Sequence, residues 1–233
     1  MAEPVPPIRT FGRIKSRPIK PLQAALMETL LPKIATPQAP FDPKTLKPDA
    51  AEVWLEVGFG RGEHLAAQAA RQPDVLFIGA EPFLNGVASA LRHVNERHLS
   101  NVRLHAGDAR DLMAILPDAG VDRLFVLFPD PWPKARHHKR RLINEAFLAE
   151  AARILKPAGR LRFATDWRDY ADWTLERLLA SPAFAWTAER AGDWRIPPGD
   201  HIATRYEEKK LGDCAPIWLE ALRISSSAPV AGR

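Results

Sequence analysis

Apolar residues in this chain fall into short runs, each followed by a polar or glycine-rich break. Val53-Trp-Leu-Glu-Val-Gly58, Val75-Leu-Phe-Ile-Gly-Ala-Glu81, Val102-Arg-Leu-His-Ala-Gly-Asp108, Leu124-Phe-Val-Leu-Phe128 and Arg160-Leu-Arg-Phe-Ala-Thr-Asp166 read as buried strands. Helical composition fills the gaps at Glu63–Arg71, about Phe83–His98, Ala109–Leu116, Leu142–Leu155 and Tyr170–Ala180. In the fourth of these, Leu142, Ala146, Ala149 and Arg153 recur at helical spacing, and Lys156-Pro-Ala-Gly159 is a stop signal. A strand near Phe184–Arg190, a polar insertion and a last strand over Ile217–Ile224 follow. Parallel strands need crossover connections, so the pattern predicts an α/β fold with a doubly wound, mostly parallel sheet. The two late strands, with no helix between them, predict an antiparallel pair at one edge.

Composition changes this picture mainly at the ends. Residues 1–50 carry ten of the 22 prolines together with Arg9, Arg13, Lys15, Arg17 and Lys20, and predict a basic arm, partly disordered, with at most a short period over Leu22–Leu31. The domain is expected over residues 51–224, and Ser225–Arg233 reads as a tail. With 46% apolar residues among 233, the chain can bury a core. No window nears eighteen consecutive apolar residues and the start does not look like an export signal, so a cytoplasmic protein with no membrane partner is expected. One cysteine, Cys214, excludes an internal disulfide and a Cys-rich zinc site, and no metal is expected. A net charge of +5 and a pI near 9.6 suit a polyanionic partner only weakly.

The distribution of chemistry says more than the totals. Gly58-Phe-Gly60-Arg-Gly62 ends the first strand and opens a helix, a turn that lets a ligand approach free backbone N–H groups. It is not the full dinucleotide fingerprint. Glu81 lies 21 residues beyond Gly60, the spacing at which an acid meets ribose hydroxyls. Glu56, Glu81, Asp108, Asp130 and Asp166 each stand at or near a strand's carboxyl end, so a parallel sheet would bring all five to one rim. That much negative charge suits a cationic ligand with hydroxyls and an amine to donate, and suits a pyrophosphate poorly.

Pro129, Pro131 and Pro133 stop the fourth strand at Phe128 and hold Asp130, Trp132 and Lys134 on a stiff loop. Arg136, His137, His138, Lys139, Arg140 and Arg141 follow with no acid among them, a run suited to nucleic-acid phosphate. Trp132 could stack on a base or pack against the domain.

These motifs resemble the bacterial tRNA (guanine-N7-)-methyltransferases of the class I methyltransferase fold. The likeness rests on Leu55-Glu-Val-Gly-Phe-Gly-Arg-Gly62, Gly79-Ala-Glu81, Gly107-Asp108-Ala109, Phe128-Pro-Asp-Pro-Trp-Pro-Lys134 with His137–Arg141, Ala164-Thr-Asp166 and Thr204-Arg-Tyr-Glu207, over about residues 50–224. The glycine motif is general to the fold, whereas the proline loop and the Thr204–Glu207 segment are specific. The resemblance implies a Rossmann-like sheet and S-adenosylmethionine-dependent methylation of N7 of the variable-loop guanosine in tRNA. Glu56, Gly58, Glu81, Asp108 and Asp130 would bind cofactor, with Asp130 also the catalytic residue. Lys134, Asp166, Thr204, Arg205, Tyr206 and Glu207 would meet substrate, and Arg136–Arg141 would lie on the RNA. Pro82 departs from the family's usual pattern after the second acid. A monomer or a homodimer is compatible with this reading. The competing readings are a methyltransferase of the same fold with another substrate, an RNA-binding module on an inactive version of the fold, and an NAD enzyme.

Overall fold

A computed structural model describes residues 18–224. Seven strands form one sheet: β1 (Glu52–Val57), β2 (Val75–Ala80), β3 (Val102–His105), β4 (Val121–Leu127), β5 (Leu155–Thr165), β6 (Phe184–Trp186) and β7 (Ile217–Arg223). Their order is β3-β2-β1-β4-β5-β7-β6. Strands β1 to β5 run parallel, while β7 is antiparallel to both β5 and β6. Strand β1 has β2 on one side and β4 on the other, so the winding reverses there. That switch point is where open α/β sheets hold ligands.

The helices are α1 (Pro21–Thr29), α2 (Leu31–Ile34), α3 (Glu63–Arg71), α4 (Leu84–Glu96), α5 (Ala109–Ile115), α6 (Glu145–Ile154), α7 (Arg168–Ala180), α8 (Gly192–Arg195) and α9 (Arg205–Glu208). The period of two along each strand divides them into layers. Leu55, Ile78, Leu124, Val126 and Phe163 share one core with Leu112, Leu148 and Tyr170 of α5, α6 and α7. Trp54, Phe77 and Phe125 point the other way and share a second core with Leu65, Val87 and Leu91 of α3 and α4.

The fold begins earlier than the proline count suggests, which corrects the expectation of an arm reaching residue 50. Pro21 and Pro32 occupy first-turn positions of α1 and α2, where a missing N–H costs nothing. Leu26 and Ile34 are buried in the second core, α1 packs on α4, and Ala35 bridges to Leu104 beside β3. Residues 1–17 of the expected arm and the tail Ser225–Arg233 lie outside the described residues.

Smaller differences have local causes. Lys156–Gly159 does not separate α6 from its strand but forms a bulge inside β5, across which the pairing jumps from Val121 with Leu155 to Arg123 with Arg160. Helix α6 starts at Glu145 because the Asn144 side chain accepts from the Phe147 N–H at 2.9 Å. Strand β6 ends at Trp186, and the insertion after it carries α8 and α9.

Candidate active site

The chain leaves β1 through three glycines in the left-handed region, Gly58 (φ 73°), Gly60 (φ 56°) and Gly62 (φ 77°). A side chain at Gly62 would place its Cβ 2.5 Å from that of Ala90, so α3 and α4 close tightly behind the turn. Glu81 braces the turn from the end of β2. Its Oε2 accepts from the Gly60 N–H at 2.8 Å and its Oε1 from the Phe83 N–H at 2.9 Å. Burial pushes the Glu81 carboxyl up to about 7, with Asp130 and Glu56 adding to the rise and the two backbone bonds opposing it.

A cleft of about 710 Å³ opens above this turn. Gly58, Gly60, Glu81, Pro82 and Phe83 line it from the β1 and β2 side, Asp108 and Arg110 from β3, and Phe128, Asp130, Trp132 and Arg140 from β4. Asp108 caps α5 by accepting from the Arg110 N–H at 3.0 Å, and the Arg110 guanidinium folds back onto the same carboxylate. Asp130 is exposed to the cleft, yet the walls remove enough water to raise its carboxyl pKa. Phe128 (φ 50°) and Trp132 (φ 45°) take left-handed backbone conformations that bulky residues avoid, so the proline loop is strained on both sides of Asp130.

The five rim acids do not all reach this cleft. Glu81, Asp108 and Asp130 line it, but Glu56 is 5% exposed and turned beneath α3, where its Oε2 meets His64 Nδ1 at 2.8 Å. The alternation along β1 that sends Leu55 and Val57 into the first core puts Trp54 and Glu56 on the opposite face. Asp166 sits along the rim towards β7, buried, accepting from the Tyr206 O–H at 3.3 Å and the Gly212 N–H at 3.0 Å.

Those bonds draw the insertion to the rim. Thr204 begins α9 with a capping box, its side chain accepting from the Glu207 N–H while the Glu207 carboxylate accepts from the Thr204 N–H at 2.9 Å. His201 Nε2 lies 2.9 Å from the other Glu207 oxygen, and the Tyr206 ring centroid is 5.5 Å from that of Phe128. The structure therefore joins Thr204–Glu207 to Asp166 and to the entry of the proline loop. The Arg205 side chain is exposed beside them.

The cationic run does not present a single face. It forms a 3-10 turn over Ala135–Arg140, with Lys134, Arg136 and Lys139 exposed. The Arg140 guanidinium lies 5.0 Å over the Trp132 ring, and His137 meets the same ring edge-on at 6.0 Å. Trp132 is thus half-buried between neighbours on its own loop. His138 packs on Trp173 and places Nε2 3.3 Å from Asp169. Arg141 is a correction: its side chain is 1% exposed, enclosed by α7, and offers no surface to a phosphate.

His64, Gln68, Arg162 and Asp200 were not among the expected site residues. Gln68 Nε2 lies 3.3 Å from His64 Nε2 and donates to the Asp200 carbonyl at 2.8 Å, so hydrogen bonds run from Glu56 to the insertion. The spacing of His64 and Gln68 on one helical face was visible, but their link to Asp200, 132 residues on from Gln68, was not.

Among the described residues no helix is long and apolar enough to cross a membrane, and no three His, Cys, Asp or Glu side chains are grouped to hold a metal. A family model for methyltransferases matches residues 50–218. A tRNA (guanine-N(7)-)-methyltransferase from Caulobacter sp. (strain K31) is 64% identical over 222 residues, 95% of this chain and 98% of that protein. One from Hyphomonas neptunium is 50% identical over 215 residues, covering 91% and 98%. Among solved structures, a mutant 16S rRNA (adenine(1408)-N(1))-methyltransferase from Catenulisporales acidiphilia superposes with a TM-score of 0.54 at 17% identity, covering 81% of this chain and 94% of that one. An rRNA methylase from Streptococcus thermophilus gives 0.51 at 10% identity, covering 76% and 89%. The last two speak for the fold alone, whereas the identities over nearly full length decide the family: this chain belongs to the tRNA (guanine-N(7)-)-methyltransferases.

Proposed function

We propose that this protein methylates N7 of guanine in tRNA, in the cytoplasm, with S-adenosylmethionine as methyl donor and the variable-loop guanosine as target. The observation that carries the reading is the convergence of Glu81, Asp108 and Asp130 on one cleft, with exposed Lys134, Arg136 and Lys139 on the segment between its lining residues Trp132 and Arg140. Three carboxylates fit a ligand that is cationic and donates from ribose hydroxyls and an adenine amine. Glu81 and Asp108 would accept from the ribose and adenine, and Gly58 and Gly60 would let the ligand approach the backbone.

The donor supplies a methyl on a sulfonium: the N7 lone pair forms the new N–C bond, the C–S pair passes to sulfur, and the guanine ring becomes cationic. N7 carries no proton, so the protein needs to supply alignment and charge, not a base. Asp130, held between prolines, would place its carboxylate where that positive charge develops. Asp166, Tyr206 and the Thr204–Glu207 turn would receive the guanine and its strand, and Lys134, Arg136 and Lys139 would meet phosphates. Glu56 would act from behind the cleft wall, holding through His64 the helix that the glycine turn opens.

The test is nucleoside mass analysis of bulk tRNA after incubation with labelled S-adenosylmethionine. The expected product is 7-methylguanosine, and tRNA carrying 7-deazaguanosine at the target should bind without accepting a methyl. Label on another base, or on the deaza substrate, would overturn the reading.

A further inference from the structure

A basic run beside a cleft invites every cation in it to be read as a phosphate contact. Arg141 stands apart from the others. Its Nε donates to the Pro131 carbonyl at 3.0 Å, one terminal nitrogen donates to the Asp169 carboxylate, and the other reaches the Asp169 carbonyl at 3.5 Å. The guanidinium carbon lies 4.8 Å from the Tyr170 ring centroid and 5.1 Å from that of Trp173. The next turn of chain is fixed by the same helix. The Ile143 N–H donates to Tyr170 Oη at 3.2 Å, and Trp173 Nε1 donates to the Ile143 carbonyl at 2.7 Å.

The Pro131 carbonyl sits between Asp130 and Trp132. On either side of Asp130 the backbone is left-handed, at Phe128 and at Trp132, conformations that persist only where the surroundings over-determine them. Prolines restrict their own φ but supply no N–H to tie the loop to anything else. The Arg141 guanidinium provides such a tie: a planar group with donors at fixed angles, one on the loop and two on α7. His138 brings a second contact to the same Asp169 carboxylate.

We infer that Arg141 is a positioning residue that pins the Asp130 loop to α7, with Asp169 as its anchor, and is not an RNA contact. This rests on the methyl-transfer reading, because the loop's position matters only if Asp130 serves the reaction. Displacing a reacting constellation by about 1 Å costs on the order of a hundredfold in rate.

Two variants and two readouts test the inference. Arg141→Ala should lower kcat about tenfold to a hundredfold, with partial rescue in Arg141→Lys, which keeps the charge but cannot bridge both partners. The salt-dependence slope of tRNA binding should stay at the wild-type value. A slope lowered by about 0.7–0.9 would mean that Arg141 is a phosphate contact and would overturn the inference. Asp169→Asn guards against a misfolded alanine variant, since Asp169 is largely exposed and the change keeps its shape. Removing an acid beside a basic run should tighten tRNA binding if charge alone matters, whereas loss of the anchor should lower kcat without tightening it. Tighter binding with wild-type kcat would also overturn the inference. Amide hydrogen exchange at Trp132 and Lys134 should quicken in Arg141→Ala and Asp169→Asn with no substrate present, and unchanged exchange would sink the latch. Absence of 7-methylguanosine from the wild-type reaction would sink the methyl-transfer reading while leaving the exchange result to stand.

Discussion

Arg162 donates to the Asp200 carboxylate at 2.6 Å, and this bond docks the insertion between β6 and β7 on the sheet. Arg123 approaches the other Asp200 oxygen at 3.5 Å, and Gln68 holds the Asp200 carbonyl. Burial alone would raise the Asp200 carboxyl pKa, but the Arg162 bond and the nearby guanidinium charges outweigh it and hold the pKa below the usual range. Arg162 is 7% exposed and has Glu220 as a further partner at 3.4 Å. Asp200→Ala should therefore destabilise the protein by about 1–2 kcal/mol, because Asp200 is a third exposed and Arg162 keeps one acid. The Tm in thermal unfolding should fall by roughly 2–8 °C. The KM for tRNA should rise as well, since Thr204–Glu207 follow on the same segment. An unchanged Tm and KM would show that other contacts hold the insertion.

Glu81 links cofactor binding to pH. Its folded-state pKa of about 7 lies above the ordinary carboxyl value of 4.5, so the folded protein holds a proton there that the unfolded chain releases. The stability this gives is fully present below the unfolded pKa and is lost as pH rises through about 7. Ligand hydroxyls need the carboxylate, so affinity for S-adenosylhomocysteine should rise across the same interval. Calorimetry at a series of pH values should show that rise in the wild type and not in Glu81→Gln. Glu81→Ala should weaken binding at neutral pH by about tenfold or more, as expected for a lost charge-assisted hydrogen bond of about 1.5–3 kcal/mol.

Asp130→Asn keeps the loop's shape and removes its charge. Turnover should fall by roughly a hundredfold, with KM for tRNA little altered, if the carboxylate acts on charge that develops only in the transition state. Single-turnover kinetics separates this from slowed product release. A rate near that of the wild type would reduce Asp130 to a group that holds the bound base.

The exposed cations should separate from the enclosed one. Neutralising Arg136 or Lys139 should weaken tRNA binding and lower the salt slope by about 0.7–0.9 for each phosphate no longer neutralised. S-adenosylhomocysteine binding should hold steady in both. A wild-type slope in both variants would make them a solvated face.

The sequence was most legible where one residue's role follows from its immediate neighbours. Each of the five parallel strands was visible as an apolar run ending near an acid or glycine, and the proline loop announced where β4 must stop. Direction of side chains was harder to read. Glu56 belongs to the same motif as Gly58, yet the pleat sends it under α3 to His64. Arg141 follows Arg140 in sequence, but one lies over Trp132 and the other is enclosed by Tyr170 and Trp173, rings some 30 residues away whose approach no local pattern encodes. The N-terminal segment misled for a different reason. Proline content argues against a helix interior, not against a helix start, and α1 and α2 use their prolines only there.

The bridge between Ala35 and Leu104 bears on how the edge of the sheet is protected. Strand β3 would otherwise present unpaired N–H and C=O groups along one margin of the sheet, a template for another molecule's strand. The Thr36 N–H donates to the Leu104 carbonyl at 3.0 Å, and its hydroxyl meets His105 Nδ1 at 3.2 Å, so the segment after α2 lies along that margin as a guard. At the opposite margin β6 is only three residues long, too short to recruit a neighbour by ladder pairing. Among the described residues, aggregation through sheet extension is thereby discouraged at both margins.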